Sequence, residues 1–259
     1  MKPINYFLLF IFPVICLTAC VSGQSVQRQM QGIKSELFYE LTTPVYLDNI
    51  DNTIFLAPIE ESPIIPYTIV KRKGTIVLPF LLYNLVQNKY EITLGDGSLI
   101  QLYHEFLMDA LLAECNRSSC FDLRVKDSAS LPDSALILEI KVNKNVTTAK
   151  IVSKDVAFIH PLDILLGEGY FLSSSTLTWN VNQPVSRLEI YARLMQGEKC
   201  LWEKTTTAVR DFPYKRKEIE NPIRAYETCV DHMTECLSYT TKDIVEIISQ
   251  NLHLLLLPK

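Results

Sequence analysis

The sequence predicts an α+β fold, a two-layer sandwich of an antiparallel sheet packed on two helices. Three observations predict it. Leu136, Leu138, Ile140 and Val142 alternate with Glu139, Lys141 and Asn143, and Leu188, Ile190, Ala192 and Leu194 alternate with Arg187, Glu189 and Arg193, the period of strands with one buried face. Leu99, Leu102, Tyr103, Phe106 and Ala110 recur at three and four, and residues 223 to 255 carry a helical pattern too, so two helices each offer an apolar face. Gln196-Gly197-Glu198 is a tight-turn signal between two strand patterns, which favours antiparallel neighbours. Hairpin-joined strands with one polar face suit a sheet whose other face is covered by helices.

In chain order, Lys2 is the only charge before the wholly apolar run Tyr6 to Cys16. This is a positive region followed by an apolar stretch of signal-peptide length, too short for a spanning helix, which needs about 20 apolar residues. Leu17-Thr18-Ala19-Cys20 follows and resembles the lipobox of bacterial lipoprotein signal peptides. In that family the cysteine thiol is alkylated with diacylglycerol, the peptide is cut before it, and the new amine is acylated. The resemblance implies that residues 1–19 are a signal peptide and that Cys20 is the lipid-attachment site. The alternative is an ordinary signal peptide with a chance cysteine. Two or three acyl chains hold a protein to a bilayer where one binds only marginally. Val21 stands where the family's inner-membrane retention signal has Asp, and residues 21–28 carry no acidic cluster. The resemblance therefore implies an outer-membrane, lipid-anchored protein facing the periplasm. Residues 20–35 read as the lipidated cysteine and a short polar tether.

Residues 36–74 read as an irregular N-terminal segment broken by Pro44, Pro58, Pro63 and Pro66, in which Thr53 to Ile59 reads as a strand that Pro58 marks as an edge strand or as a strand end. Residues 75–259 read as the α+β domain. Its first stretch, GTIVLPFLLYNLVQNKYEITLG, is one long strand or two short ones, stopped by Gly95-Asp96-Gly97-Ser98, which supplies caps to the first helix. That helix ends near Cys115. Strands follow at Phe121 to Val125, from Ala135 to Val142, at Phe171 to Val181, at Val185 to Met195, and through KCLWEKTTTAV. The terminal helix, Ile223 to Leu255, carries a break signal near Tyr239-Thr240-Thr241.

From about Thr75 to Leu255 this layout, and RLEIYARLMQGEKCLWEK with its Trp just after a Gly-containing turn, resemble the ABC-transport auxiliary lipoproteins and the lipopolysaccharide-assembly lipoprotein. Residues 36 to 75 have no evident counterpart there. The resemblance implies a non-enzymatic lipoprotein that supports assembly or transport by binding an envelope protein partner. The alternative is a periplasmic lipid or small-ligand carrier with an apolar cavity. A third reading is a hydrolase in which His104 or His160 meets a carboxylate and a nucleophile.

The formal charge of −4 becomes −5 once Lys2 leaves with the signal peptide, so nothing in the net charge favours nucleic acid as a partner. An exported protein meets an oxidising compartment, and Cys115 and Cys120, close in sequence, are a possible disulfide. Cys200, Cys229 and Cys236 are left over. Cys229, His232 and Cys236 invite a metal hypothesis. On a helix, however, residues seven apart stand about 10 Å apart along the axis and His232 points away, so buried thiols, one of them paired with Cys200, are the better reading and no metal is expected. No GxSxG or phosphate-binding glycine loop occurs, Glu60-Glu61 reads as solvated charge, and no catalytic residue or cofactor is expected. Lys71-Arg72-Lys73 and Lys215-Arg216-Lys217 are exposed loop charges, with anionic headgroups as the functional alternative. Asp127-Ser128-Ala129 and Asp133-Ser134-Ala135 resemble a bacterial O-glycosylation sequon. Oligomeric state is left open.

Overall fold

The structure, a computed structural model, describes residues 23–41, 52–62, 68–76, 82–117, 121–126, 131–132, 134–159, 172–213 and 218–256. Three helices are described: α1 (Gly23–Gln31), α2 (Tyr103–Arg117) and α3 (Pro222–Leu256). The strands are β1 (Thr53–Leu56), β2 (Glu60–Glu61), β3 (Thr68–Ile76), β4 (Leu82–Thr93), β5 (Asp122–Val125), β6 (Leu136–Ile159), β7 (Leu172–Val181), β8 (Val185–Gln196), β9 (Lys199–Asp211) and β10 (Glu218–Ile219). Helix and strand content is mixed, as expected. The sheet is mostly antiparallel, but β1 runs parallel to both β5 and β6, and β2 runs parallel to β6, which corrects the purely antiparallel expectation. β1 is four residues long, with Ile54 and Leu56 buried, and so short a strand reports its buried face without the direction of its neighbours.

β6 is the spine of the sheet. On one edge, Leu136 to Thr148 pair with β8 and Ile151 to Ile159 with β7. On the other edge β1 meets Leu136 to Leu138, β2 meets Lys141 and Val142, and β4 meets Thr148 to Ile159. The stretch expected as a short strand is thus the start of a 24-residue one, about 75–80 Å long at the usual rise. The β3–β4 pairing runs from Thr68–Ile92 to Ile76–Asn84, so a strand covers the boundary placed at residue 75. β8 and β9 are joined by the expected two-residue turn, Gly197-Glu198, with Gly197 at φ 57°, a conformation glycine adopts without a Cβ penalty.

α3 packs on β6, β7, β8 and β9 through Tyr226, Val230, Met233, Leu237, Ile244 and Ile248, all buried, the face its period predicted. Asn221 caps it by accepting the Ile223 and Arg224 amides at 2.9 and 3.4 Å, with Pro222 in the first turn. The expected break near residues 239–241 does not occur. Ser238, Thr240 and Thr241 donate their hydroxyls to the carbonyls of Thr234, Cys236 and Leu237 four residues back, at 2.7–3.0 Å, so the buried hydroxyls are satisfied within an unbroken helix.

The N-terminal side departs most from expectation. From Gly23 onward the polar tether is replaced by α1, whose Val26 and Met30 are 0% and 1% exposed in the common core. Ser98 does not cap α2. It forms part of a 3-10 turn at Asp96–Ser98, its Oγ donates to the Met30 carbonyl at 3.1 Å, and α2 starts only at Tyr103. Leu102 is exposed rather than part of the helical face. Beyond α1, Ser35 bridges Leu99 in parallel, and residues 35–40 then follow α3. The Ser35 hydroxyl donates to Asp231 at 3.0 Å, the Phe38 amide to the Ser238 hydroxyl at 3.2 Å, and Lys242 pairs with Glu40 at 3.5 Å. No helix among the described residues is long and apolar enough to cross a membrane.

Candidate functional site

β9 offers an open edge. It pairs with β8 along its whole length and, among the described residues, with nothing on the other side. Its even-numbered residues turn toward α3: Thr206 is buried, and the Arg210 guanidinium bonds both carboxylate oxygens of Asp243 at 2.8 and 3.0 Å. Arg210 also lies 5.4 Å over the Tyr239 ring, which Phe212 stacks on and Phe38 meets edge-on. This cluster locks the end of β9 and the N-terminal segment to α3. The odd-numbered residues Glu203, Thr205, Thr207 and Val209 are exposed on the opposite face. Near the turn the edge carries Lys199, Glu203 and Lys204, but Thr205 to Val209 is uncharged and mostly β-branched. Natural edges are usually blunted by charge, proline or a covering element. Here Val209, 62% exposed, stands on an edge that no strand among the described residues covers.

A second cluster joins two residues the sequence kept apart. β2 brings Glu61 beside β6, where Asn145 donates to Glu61 Oε1 at 3.4 Å and His104 Nδ1 lies 3.6 Å from Oε2. Glu60 is solvated as expected, but the Glu61 side chain is 16% exposed, which corrects its reading as solvated charge. Burial raises the Glu61 carboxyl above its ordinary range, aided by the charge of Asp96 and opposed by Asn145 and His104. So His104 meets a carboxylate. Among the described residues no hydroxyl or thiol bonds to His104, and the pair as it stands is a histidine–carboxylate contact between α2 and β2. His160 lies outside the described residues.

Burial sets the chemistry of the thiols. Cys229 and Cys236 are buried thiols; burial raises the first strongly and pushes the second up to about 11, so neither is a thiolate near neutrality. The pairing with Cys200 is not formed: Cys200 is an exposed free thiol near the β8–β9 turn, and Cys236 points its Sγ at the Arg210 carbonyl, 3.4 Å away. Burial likewise holds His232 below its ordinary value. No group of three His, Cys, Asp or Glu side chains that could hold a metal occurs among the described residues. Cys115 is buried at the end of α2 with its thiol raised to about 12 by burial. Its proposed partner Cys120 lies outside the described residues, as do Cys20, residues 127–130, Asp133 and Lys215-Arg216-Lys217. Lys71-Arg72-Lys73, read as loop charge, falls within β3.

One residue escaped the sequence reading altogether. Glu114 on α2 is fully buried and accepts the Tyr39 hydroxyl at 3.0 Å. Burial and this carboxylate raise the Tyr39 phenol strongly, so the bond keeps its proton on the tyrosine. The helical period did contain the signal: Phe106, Leu107, Ala110 and Leu111 place position 114 on the inward face.

No family model matches this chain, and no curated protein matches it. The chain is similar to the crystal structure of protein XCC0632 from Xanthomonas campestris, of family DUF330, at 13% identity over 84% of this chain and 95% of that chain, with a TM-score of 0.40. A likeness at that level bears on neither role nor site.

Proposed function

We propose that the chain is a non-enzymatic lipoprotein, acylated at Cys20 and held in the outer membrane facing the periplasm, that binds an envelope protein partner by strand addition along β9. The observation that carries the binding mode is the uncharged run Thr205 to Val209 on an edge that has no neighbour among the described residues. Strand addition draws affinity from main-chain hydrogen bonds and specificity from alternate side chains. Val209 supplies an apolar side chain at that edge. The anchor rests on Lys2, the apolar run and Leu17-Thr18-Ala19-Cys20. Within this reading the sheet and the helices are the two layers of a sandwich, with the outer sheet face and the β9 edge left for the partner.

The test is a mild-detergent pull-down from native membranes, with mass spectrometry of proteins and lipids, using wild type, Cys20→Ala and Val209→Lys. A partner held by wild type should be lost by Val209→Lys, whose exposed site leaves thermal unfolding unchanged. Adding the purified partner should slow amide exchange along β9. A partner that Val209→Lys retains in full, without protection of β9, overturns the edge site. Lipid bound beyond the Cys20 acyl chains, with no protein, favours the carrier. Cys20→Ala that stays membrane-bound with unchanged N-terminal mass overturns the anchor.

A further inference from the structure

We infer that the domain is seated on the bilayer surface through the open side of α1, with no tether between them. The inference rests on the reading of Cys20 as the acylated residue and adds where that anchor places the fold. Cys20 is three residues ahead of Gly23, the first residue of α1. Three extended residues span at most about 11 Å. The polar layer on each side of the hydrocarbon is itself roughly 5–8 Å thick. An acylated Cys20 lies at that layer, so the first turn of α1 lies in it or against it.

α1 cannot swing away to create slack. Val26 and Met30, one turn apart, are buried in the main core, and the carbonyl of Met30 is tied to Ser98. The helix packs against α3 and β3. Among the described side chains of α1, Arg28 and Gln29 are exposed. In the chain just after it, Lys34 is exposed, with its Nζ bonded to the Leu99 carbonyl at 3.2 Å. The Ile100 amide donates to Ser35 at 3.1 Å, and Ile100 and Leu102 are large apolar side chains, 64% and 46% exposed. Two cations and two exposed aliphatic side chains beside a short anchor fit the boundary between anionic headgroups and acyl chains. The odd-numbered side chains of the β9 edge face away from α3, whereas α1 packs against α3.

The experiment uses the full chain in native membranes with a benzophenone amino acid at Gln29, or at Thr207 on the outer sheet face as control. After irradiation, mass spectrometry reads lipid adducts at both positions and the acylation state of the N-terminal peptide. Seating predicts an acylated N-terminus and at least tenfold more lipid adduct at position 29 than at 207. Ten Gly-Ser residues inserted between Ser22 and Gly23 should reduce the adduct at 29 while acylation persists. An acylated chain with no excess at 29, or an excess the insertion leaves unchanged, overturns the seating and leaves the lipoprotein reading standing. An unacylated N-terminus overturns that reading, and the seating with it.

Discussion

Glu61 carries its negative charge at a cost, because burial outweighs the help it receives from Asn145 and His104. Its folded pKa is raised, so its contribution to stability is fully present below its ordinary value of 4.5 and is lost as pH rises through the folded value. Glu61→Gln keeps an acceptor for Asn145 and cannot ionise. It should melt above wild type at pH 7, and the difference should vanish below about pH 4, as thermal unfolding across that range would show. The β8–β9 turn gives a sharper case. Gly197 holds φ 57°, where a Cβ costs roughly 1–2 kcal/mol. Gly197→Ala should lose about that much in urea unfolding with an unchanged m-value.

At the scale of elements, α1 is where the sequence said least and the fold depends on it. Met30→Ala should cost about 2–4 kcal/mol, since it empties a fully buried site while the Ser98 bond, made to backbone, survives. A wild-type midpoint in that variant would show that α1 is not part of the core. The long periodic segments were legible: the core face of α3 and the inward residues of β6 and β8 are those their spacing marks. α1 was not, because nine residues with two apolar positions fall below the window in which a helical period can be recognised. The threonines at 240 and 241 read as a break because β-branched residues lose rotamer freedom in a helix. Their bonds to carbonyls one turn back depend on burial that no local pattern reports. Glu61 misled for a related reason: the side chain that bonds it, Asn145, is 84 positions away.

In the whole molecule, β6 belongs to both halves of the sheet, and neither half closes without it. Ile151, fully buried where the partner on one edge has passed from β8 to β7, is the residue on which to test this. Ile151→Ala should lower stability by about 2–4 kcal/mol and speed amide exchange in β7 and β8 alike. Acceleration in β7 alone would mean that the halves open separately. The shared strand also dictates an order of assembly. Its partners come from before it in the chain, at β1, β2 and β4, and from after it, at β7 and β8. A chain delivered N-terminus first therefore presents a 24-residue strand with one bare edge until residues 172–196 have followed it. Such an edge recruits other chains as readily as its own, so the molecule folds cleanly only when kept apart from its copies until β7 and β8 arrive.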